Sequence, residues 1–412
     1  MKDHLILDDM GEVDIEWLTE EERALIISFD KVHSWTGMWR NAKRIQWSYF
    51  WLFQMTMFMI IYFYSLYFFL EELEILTHVI HHIIMAGDDF MYIYLLNYNR
   101  RNLEIVHDLN LKTYGYGSDL VKNYHRKLMT ERLKTYRLVY RFILLSAAAT
   151  ILYLEAFFVL EATILKTYVT MYPIYLPIDL NHPVTYTSVV FLQHLQVYVT
   201  LVMGSGLVSI LFSAWNHITL ELAVLTFAMN NIEEIVKEQL SRFQFKSHGT
   251  KEAARNKIYR SCCYHLARHH GSIARYFNTF KSASRLTISC IFLTGIVCFA
   301  CVGITTVTDN MGIKLKFFLI MVVQTSVIYA WCAVGQYISD QNANIQWVIS
   351  GIPWWKMPKP CHSTLRLIMV GTSMPWFLTT PLGQDANNES FMDMVTSSYR
   401  IFNLVYQMMF SS

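Results

Sequence analysis

The chain has 412 residues, 54% of them hydrophobic and only 16% charged, with a mean hydropathy of +0.27. That balance excludes an ordinary soluble domain and points to several long apolar runs. The net charge of +2 says little in total and gives no sign of a nucleic-acid partner, but its distribution along the chain is uneven.

Residues 1–44 are polar and rich in acids. They lack the apolar stretch of a cleavable signal, so the first span is expected to act as its own insertion signal. Trp17, Ile26, Phe29, Trp35 and Trp39 with basic neighbours suit a partly helical, cytoplasmic or interfacial segment entering that span. Six runs reach the roughly 20 apolar residues that a span needs. They lie at 45–70, 73–98, 138–165, 185–215, 286–308 and 316–338, and a seventh, the least hydrophobic, lies at 391–410. In lipid every backbone donor needs an internal partner, so these are helices. Barrel strands are about 10 residues long and alternate, which excludes a β-barrel.

Lys and Arg number 6 before the first span, 10 between the second and third (counting the start of the third), 11 between the fourth and fifth, and 3 between the sixth and seventh. The alternate segments hold none, then Lys166, then Lys314 and Lys316, while Arg400 lies inside the seventh span. The positive-inside rule therefore sets the N-terminus in the cytoplasm and, with seven spans, the C-terminus outside. A G-protein-coupled receptor has seven helices the other way up. The chain also lacks Asp-Arg-Tyr after the third span and Asn-Pro-x-x-Tyr in the seventh.

The external segments 71–74 and 309–315 are short, but 166–184 carries Pro173, Pro177 and Pro183 among aromatics. It reads as a stiff, extended lid over an outward-facing cavity, attached to spans 1–4 at 45–213. The cytoplasmic segment 214–285 has apolar residues at helical spacing, so it extends the fourth and fifth spans as anchor helices whose apolar stripes need a partner surface. Spans 5 and 6 then occupy 286–338. A second anchor segment, 339–390, ends in a short amphipathic helix, "CHSTLRLIMVGTSM", before the last helix at 391–412. Asn388-Glu389-Ser390 is a glycosylation sequon on the cytoplasmic side and is expected to stay unused. The seven cysteines, Cys262, Cys263, Cys290, Cys298, Cys301, Cys332 and Cys361, lie away from the external segments, so no disulfide framework is expected.

No Walker A loop, HExxH, GxSxG or CxxC is present, so neither an enzyme nor a cofactor is expected. Cys262, His265 and His269 share helical spacing, yet no second ligand pair accompanies them and no metal site is expected. "GYG" at 115–117 lies in a cytoplasmic loop without the Thr-Val that precedes it in a potassium filter. "MGSGL" at 203–207 suits close helix packing. "HVIHHIIMAGDD" sets His78, His81, His82, Asp88 and Asp89 inside the second span, where ionisable groups are functional suspects or face a wet, protein-lined interior.

The order of these features resembles the insect odorant receptors. "GQYISDQNANIQWVISGIPWW" after the sixth span is similar to theirs. So are "MVGTSMPWFLTTPLG" and the closing "FMDMVTSSYRIFNLVYQMM", with Ser398-Tyr399-Arg400-Ile401-Phe402 at the Ser-Tyr-x-x-Phe core. The resemblance implies an all-α polytopic membrane protein, an odorant-gated non-selective cation channel in the plasma membrane of sensory-neuron dendrites. Four subunits would surround one pore lined by the last helices, with an obligate co-receptor as partner. The short loop between the fourth and fifth spans and the ending Tyr406-Gln407-Met408-Met409 resemble the odorant-tuning subunit, not the co-receptor.

Aligned with the family, Leu404 and Met408 take the hydrophobic gate positions, and Gln407 the polar position beside them. Asn403 continues that stripe, and Arg400 lies near the cytoplasmic end of the helix. The family's small-volatile pocket maps to Ile75, His78, His82, Phe157, Phe158, Gln193, Val197, Tyr198, Met321, Gln324 and Thr325. A gustatory-type receptor of the same fold, a channel on its own, would more often close with Thr-Tyr-x-x-Phe, where this chain has Ser398.

Overall fold

A computed structural model describes residues 12–14, 20, 38, 44–109, 112–165, 174–177, 180, 182–243, 248–307 and 311–410. Trp17, Ile26, Phe29, Trp35 and Trp39, part of the lid and Pro173 lie outside the described residues. The chain is helical almost throughout: α1 (Arg44–Phe68), α2 (Leu73–Tyr98), α3 (Arg100–Leu109), α4 (Asp119–Leu165) and α5 (Pro183–Asn230) come first. After them come α6 (Ile232–Ser241), α7 (His248–Val307), α8 (Met311–Gly351), α9 (Lys359–Thr372) and α10 (Asn388–Phe410).

Among the described residues, five helices are long and apolar enough to cross a membrane: α1, α2, α4, α5 and α7. The sixth and seventh sequence spans fall on α8 and α10, which have 41 and 23 residues. Helices α4, α5 and α7 run to 47, 48 and 60 residues. At 1.5 Å per residue α7 is about 90 Å long, three times the thickness of a hydrocarbon core. These helices therefore continue far beyond the bilayer, and their extensions form a second bundle with α3, α6 and α9. Helix α7 packs against α2, α3, α5, α6, α8, α9 and α10. One apolar core runs unbroken from Met55, Tyr92 and Met203 in the spans to Leu365 and Ile368 in α9.

Local chemistry explains the breaks. Asn99 ends α2, its amide donating to Leu95 O at 3.2 Å while its side chain reaches Ala283 O on α7. Pro183 opens α5 at the first turn, where a missing amide hydrogen costs nothing. Asn387 caps α10, accepting from the Ser390 amide at 2.8 Å, so the sequon lies in a capped first turn.

A short antiparallel pair, absent from the sequence reading, joins β1 (Glu12–Asp14) to β2 (Lys112–Tyr114), with Val13 opposite Thr113. The "GYG" that follows turns the chain into α4, with Tyr116 and Gly117 both left-handed at φ 52° and 58°. Tyr116 carries that strain because it is pinned. Gln239 Nε2 donates to its carbonyl at 2.8 Å, and its hydroxyl lies 2.7 Å from His269 Nδ1. His269 Nε2 in turn lies 2.8 Å from Glu221 Oε2, which also accepts from Thr113 Oγ1, and His125 Nε2 is 3.8 Å from Glu221 Oε1. All of these side chains are buried, beyond the fourth span as read from sequence. Burial alone would raise the Glu221 carboxyl; the His269 hydrogen bond and the nearby His269, His125 and His217 hold it below the usual range instead. Burial lowers His217 to about 4, and lowers His125 against the pull of Glu221.

Candidate functional site

Helix α10 has two unlike faces. Met394 and Ser398 are buried and Phe402 is half-buried, at spacings of four that line one side. That side meets two glycines on α7. A Cβ on Gly303 would stand 2.8 Å from the Phe402 ring, and one on Gly295 would stand 3.1 Å from Met394 Sδ. Small residues here let the last helix lie close to α7. Gly335 on α8 does the same for the segment entering α10: a Cβ there would meet Ala386 O at 2.1 Å. Gly335 opens the first block that carries the family resemblance, and Ala386 lies between the second and the third.

The opposite face is open. Glu389, Asp393, Thr396, Arg400, Asn403 and Gln407 follow one another at steps of four and three, which makes one continuous stripe. All are exposed except Asn403, which is half-buried. Leu404 flanks the stripe, 60% exposed. Met408 lies one turn further on, and its side chain is outside the described ones. A polar stripe from end to end opposite a packed apolar seam is unsuited to lipid and suited to water. The acids stand at the N-terminal end of the helix, and Arg400 stands midway.

The pocket candidates divide into two groups. Ile75 packs on the cluster of Phe58, Tyr62 and Val79. His82 stacks on Tyr62 with centroids 5.6 Å apart, and His78 meets Phe317 edge-on at 4.7 Å. The described part of the 166–184 segment packs on this group: Ile174 joins the same cluster, Tyr175 stacks on Phe68 at 3.8 Å, and its amide donates to Ser65 Oγ at 2.8 Å. In the second group Phe158 packs on Val197 and meets His194 edge-on, and His194 pairs with Glu155 at 2.8 Å. Gln193 and Gln324 are buried, and Met321 and Thr325 are half-buried. Tyr198 is 48% exposed, on a different face of α5 from Gln193 and Val197. The Phe157 side chain lies outside the described ones. Sequence reasoning omitted Tyr62, Phe317 and the His194–Glu155 pair; aromatic residues one level away on α1 were the available signal.

Cys262, His265 and His269 do not converge. His269 serves Glu221 and Tyr116, and Cys262 lies beside Cys361 of α9. Among the described residues no three His, Cys, Asp or Glu side chains are placed to hold a metal ion.

A sequence model of the family described as "7tm Odorant receptor" matches residues 73–399. The chain belongs to the seven-transmembrane odorant receptor family. It is thereby a multi-pass membrane receptor of the insect olfactory class and not an enzyme. The matched range stops just before Arg400. No curated protein sequence matches the chain. Solved structures that share the fold include two of the insect olfactory receptor OR5 from Machilis hrabei. The complex with eugenol superposes with a TM-score of 0.74 at 12% identity, over 94% of this chain and 99% of that one. The structure without eugenol gives 0.72 at the same identity and coverage.

Proposed function

We propose that this receptor is the odorant-tuning subunit of a heterotetrameric, odorant-gated, non-selective cation channel. The observation that carries the proposal is the polar stripe of α10 opposite its glycine-backed seam. In this reading the stripe faces the pore, and Leu404 with Met408 forms the ring that shuts it by dewetting. Gln407 and Asn403 coordinate passing ions through water, and Arg400 lowers cation flow. A ring of four such arginines would oppose cations strongly, so one Arg400 among different partner subunits suits a heteromer. The N-terminus is cytoplasmic by the Lys and Arg counts, which sets the lid outside.

Odorant would enter between the lid and the Tyr62, His82 and Phe317 rings, or beside Phe158 and Val197. Flat aromatic surfaces suit small volatiles, and the buried Gln193, Gln324 and His78 would orient them. The OR5 complex with eugenol makes small phenolic aromatics the first class to try. Partner subunits also have a surface to meet: Trp347, Leu367, Val370 and Met374 of the cytoplasmic bundle are open and apolar.

The test is current. The receptor is expressed with and without an insect co-receptor and given a panel of volatile aromatics and heterocycles. Evoked cation current only with the co-receptor is the expected result. Current from the chain alone would favour a self-assembling channel, and none from a surface-expressed heteromer would remove the pore assignment.

A further inference from the structure

The middle of the membrane bundle holds two adjacent carboxylates that no base offsets. Asp89 is 2% exposed, and Asp88 beside it is partly buried. Among the described residues neither makes an ion pair. Thr200 Oγ1 donates to Asp89 Oδ2 at 2.6 Å, and Gln196 Nε2 donates to the same oxygen at 3.3 Å. Both donors are neutral. They orient the carboxylate but leave its charge in a medium that penalises it far more than two such bonds return.

The surroundings are short of positive partners, not of oxygens. Gln196 is 5% exposed, and its Oε1 has no partner among the described residues, although its own amide nitrogen touches Asp89. Tyr62 is 1% exposed, its hydroxyl also lacks a partner, and it lies within electrostatic reach of Asp89. Gln54 is 7% exposed, and both ends of its amide are unpartnered. Two contacts fix the antiparallel register of α1 and α2: Ser48 to Asn97 at 2.8 Å, and Tyr62 stacked on His82. That register sets Gln54 level with the turn that carries Asp89. Gln196 Nε2 lies 3.5 Å from Met55 Sδ on α1, which confirms the level. On the far side Asp88 faces Thr294 and Cys290 of α7, and its Oδ1 is unpartnered.

One layer across α1, α2, α5 and α7 therefore gathers carboxylates, amide oxygens and hydroxyls with no cation among them. We infer that this layer is a binding site for a small monovalent cation, sodium, held by the Asp89 carboxylate, Thr200 Oγ1 and Gln196 Oε1. Gln54 adds an amide oxygen at the same level, and Asp88 adds charge from one side. Hard oxygens with few charges suit an alkali ion. Imidazole and thiolate donors, which a transition metal would want, do not converge here. The Thr200 to Asp89 hydrogen bond must open for both oxygens to face an ion, and the two helices part least for the smaller one. The inference rests on the membrane placement of these helices and not on the channel reading, so it stands or falls separately.

The experiment is thermal unfolding of the purified full-length receptor, followed by tryptophan fluorescence at constant pH and ionic strength. Sodium chloride replaces choline chloride stepwise, with potassium chloride as a parallel arm. The expected result is a saturable rise in Tm of several degrees with sodium, smaller with potassium, as binding to the folded state alone requires. Asp89→Asn should abolish the rise. Gln196→Leu keeps both carboxylates and should raise the half-saturating sodium about tenfold or more. If Asp89→Asn yields no folded protein, Gln196→Leu and Thr200→Val carry the test. Equal Tm in sodium, potassium and choline overturns the site, and so does a Tm that follows pH alone, which would mean that the carboxyls hold protons. Equal stabilisation by sodium and potassium overturns the assignment to sodium.

Discussion

Gly335→Ala tests how α8 seats the last helix. The added Cβ would stand 2.1 Å from Ala386 O, a backbone atom that cannot rotate away. Ordinary contact begins at 3.4 Å, so the strand entering α10 must retreat by about 1.3 Å, at the upper end of the roughly 1–3 kcal/mol cost of overpacking. That strand is held from behind. The Ala386 amide donates to Leu378 O at 2.8 Å, and Thr379 is bridged to Asp385, with Thr379 Oγ1 donating to the carboxylate at 2.6 Å. Alanine in a helix returns about 1 kcal/mol relative to glycine. The net expectation is a loss of about 2 kcal/mol, with α10 displaced at its capped end. Gly303→Ala should cost less, because the atom it meets is the Phe402 ring, which can turn. Gly204→Ala meets nothing within 4 Å and should be neutral or mildly stabilising. Thermal unfolding of the three purified variants, with surface expression alongside, ranks them. A Gly335→Ala variant as stable as Gly204→Ala would refute the packing argument.

In the pore reading, Leu404→Ala should leave the channel leaky at rest, and Arg400→Gln should raise its unitary cation conductance. Patch recordings with the co-receptor check both, and unchanged currents would place the pore elsewhere. Arg132→Met should destabilise the second bundle by about 2 kcal/mol, since Nη1 serves the Asn216 carbonyl at 2.9 Å, Asn216 Oδ1 at 3.0 Å and Thr219 Oγ1 at 2.5 Å. Denaturant titration reads this, and a loss below about 0.5 kcal/mol would contradict a role for the clamp. Acid should loosen the same bundle. His217, lowered from 6.5 to about 4, and His125, also lowered, bind protons better unfolded than folded, so stability falls as pH falls below 6.5. Glu221 lies below its ordinary 4.5, so its contribution is present above that value and lost as pH falls through the folded one. All three act in one direction, and His217→Gln should flatten the profile between pH 6.5 and about 4 in unfolding measured against pH.

Periodicity and run length made most of the fold legible. The second span as read, 73–98, coincides with α2, and the helical spacing read after the fourth span and before the fifth continues those spans in α5 and α7. The break at Asn231 was not legible, because the apolar spacing runs through it; only the backbone shows α5 and α6 as separate helices. "GYG" looked empty as a motif. Its meaning lies in Gln239 and His269, more than 120 and 150 residues away. The rotation of α10 was half legible. The polar stripe is written in the spacing of Glu389 to Gln407, but which side packs depends on Gly295 and Gly303 of another helix. The grouping of the proposed pocket residues was least legible, because Tyr62 and Phe317 belong to helices whose relative depth no single span encodes.

Helix α7 touches both α2 at the level of His81 and the last helix, α10, within a few turns. Cys298 Sγ lies 3.7 Å from His81 Nδ1 on α2, and His81 faces Phe317 of α8. Five residues further along the same helix is Gly303, against which Phe402 rides; three residues before Cys298 is Gly295, wedged between Ile328 and Met394. Contacts this close leave no slack to absorb a shift. A ligand that tilts α7 or α8 at the His81 level would therefore move the seam of α10 as a body and turn its stripe. Proximity alone does not establish such coupling, but a double-mutant cycle on odorant gating does. His81→Ala and Phe402→Ala should be non-additive by more than about 0.5 kcal/mol in the open–closed equilibrium. Strict additivity would show that α10 answers to something other than α7.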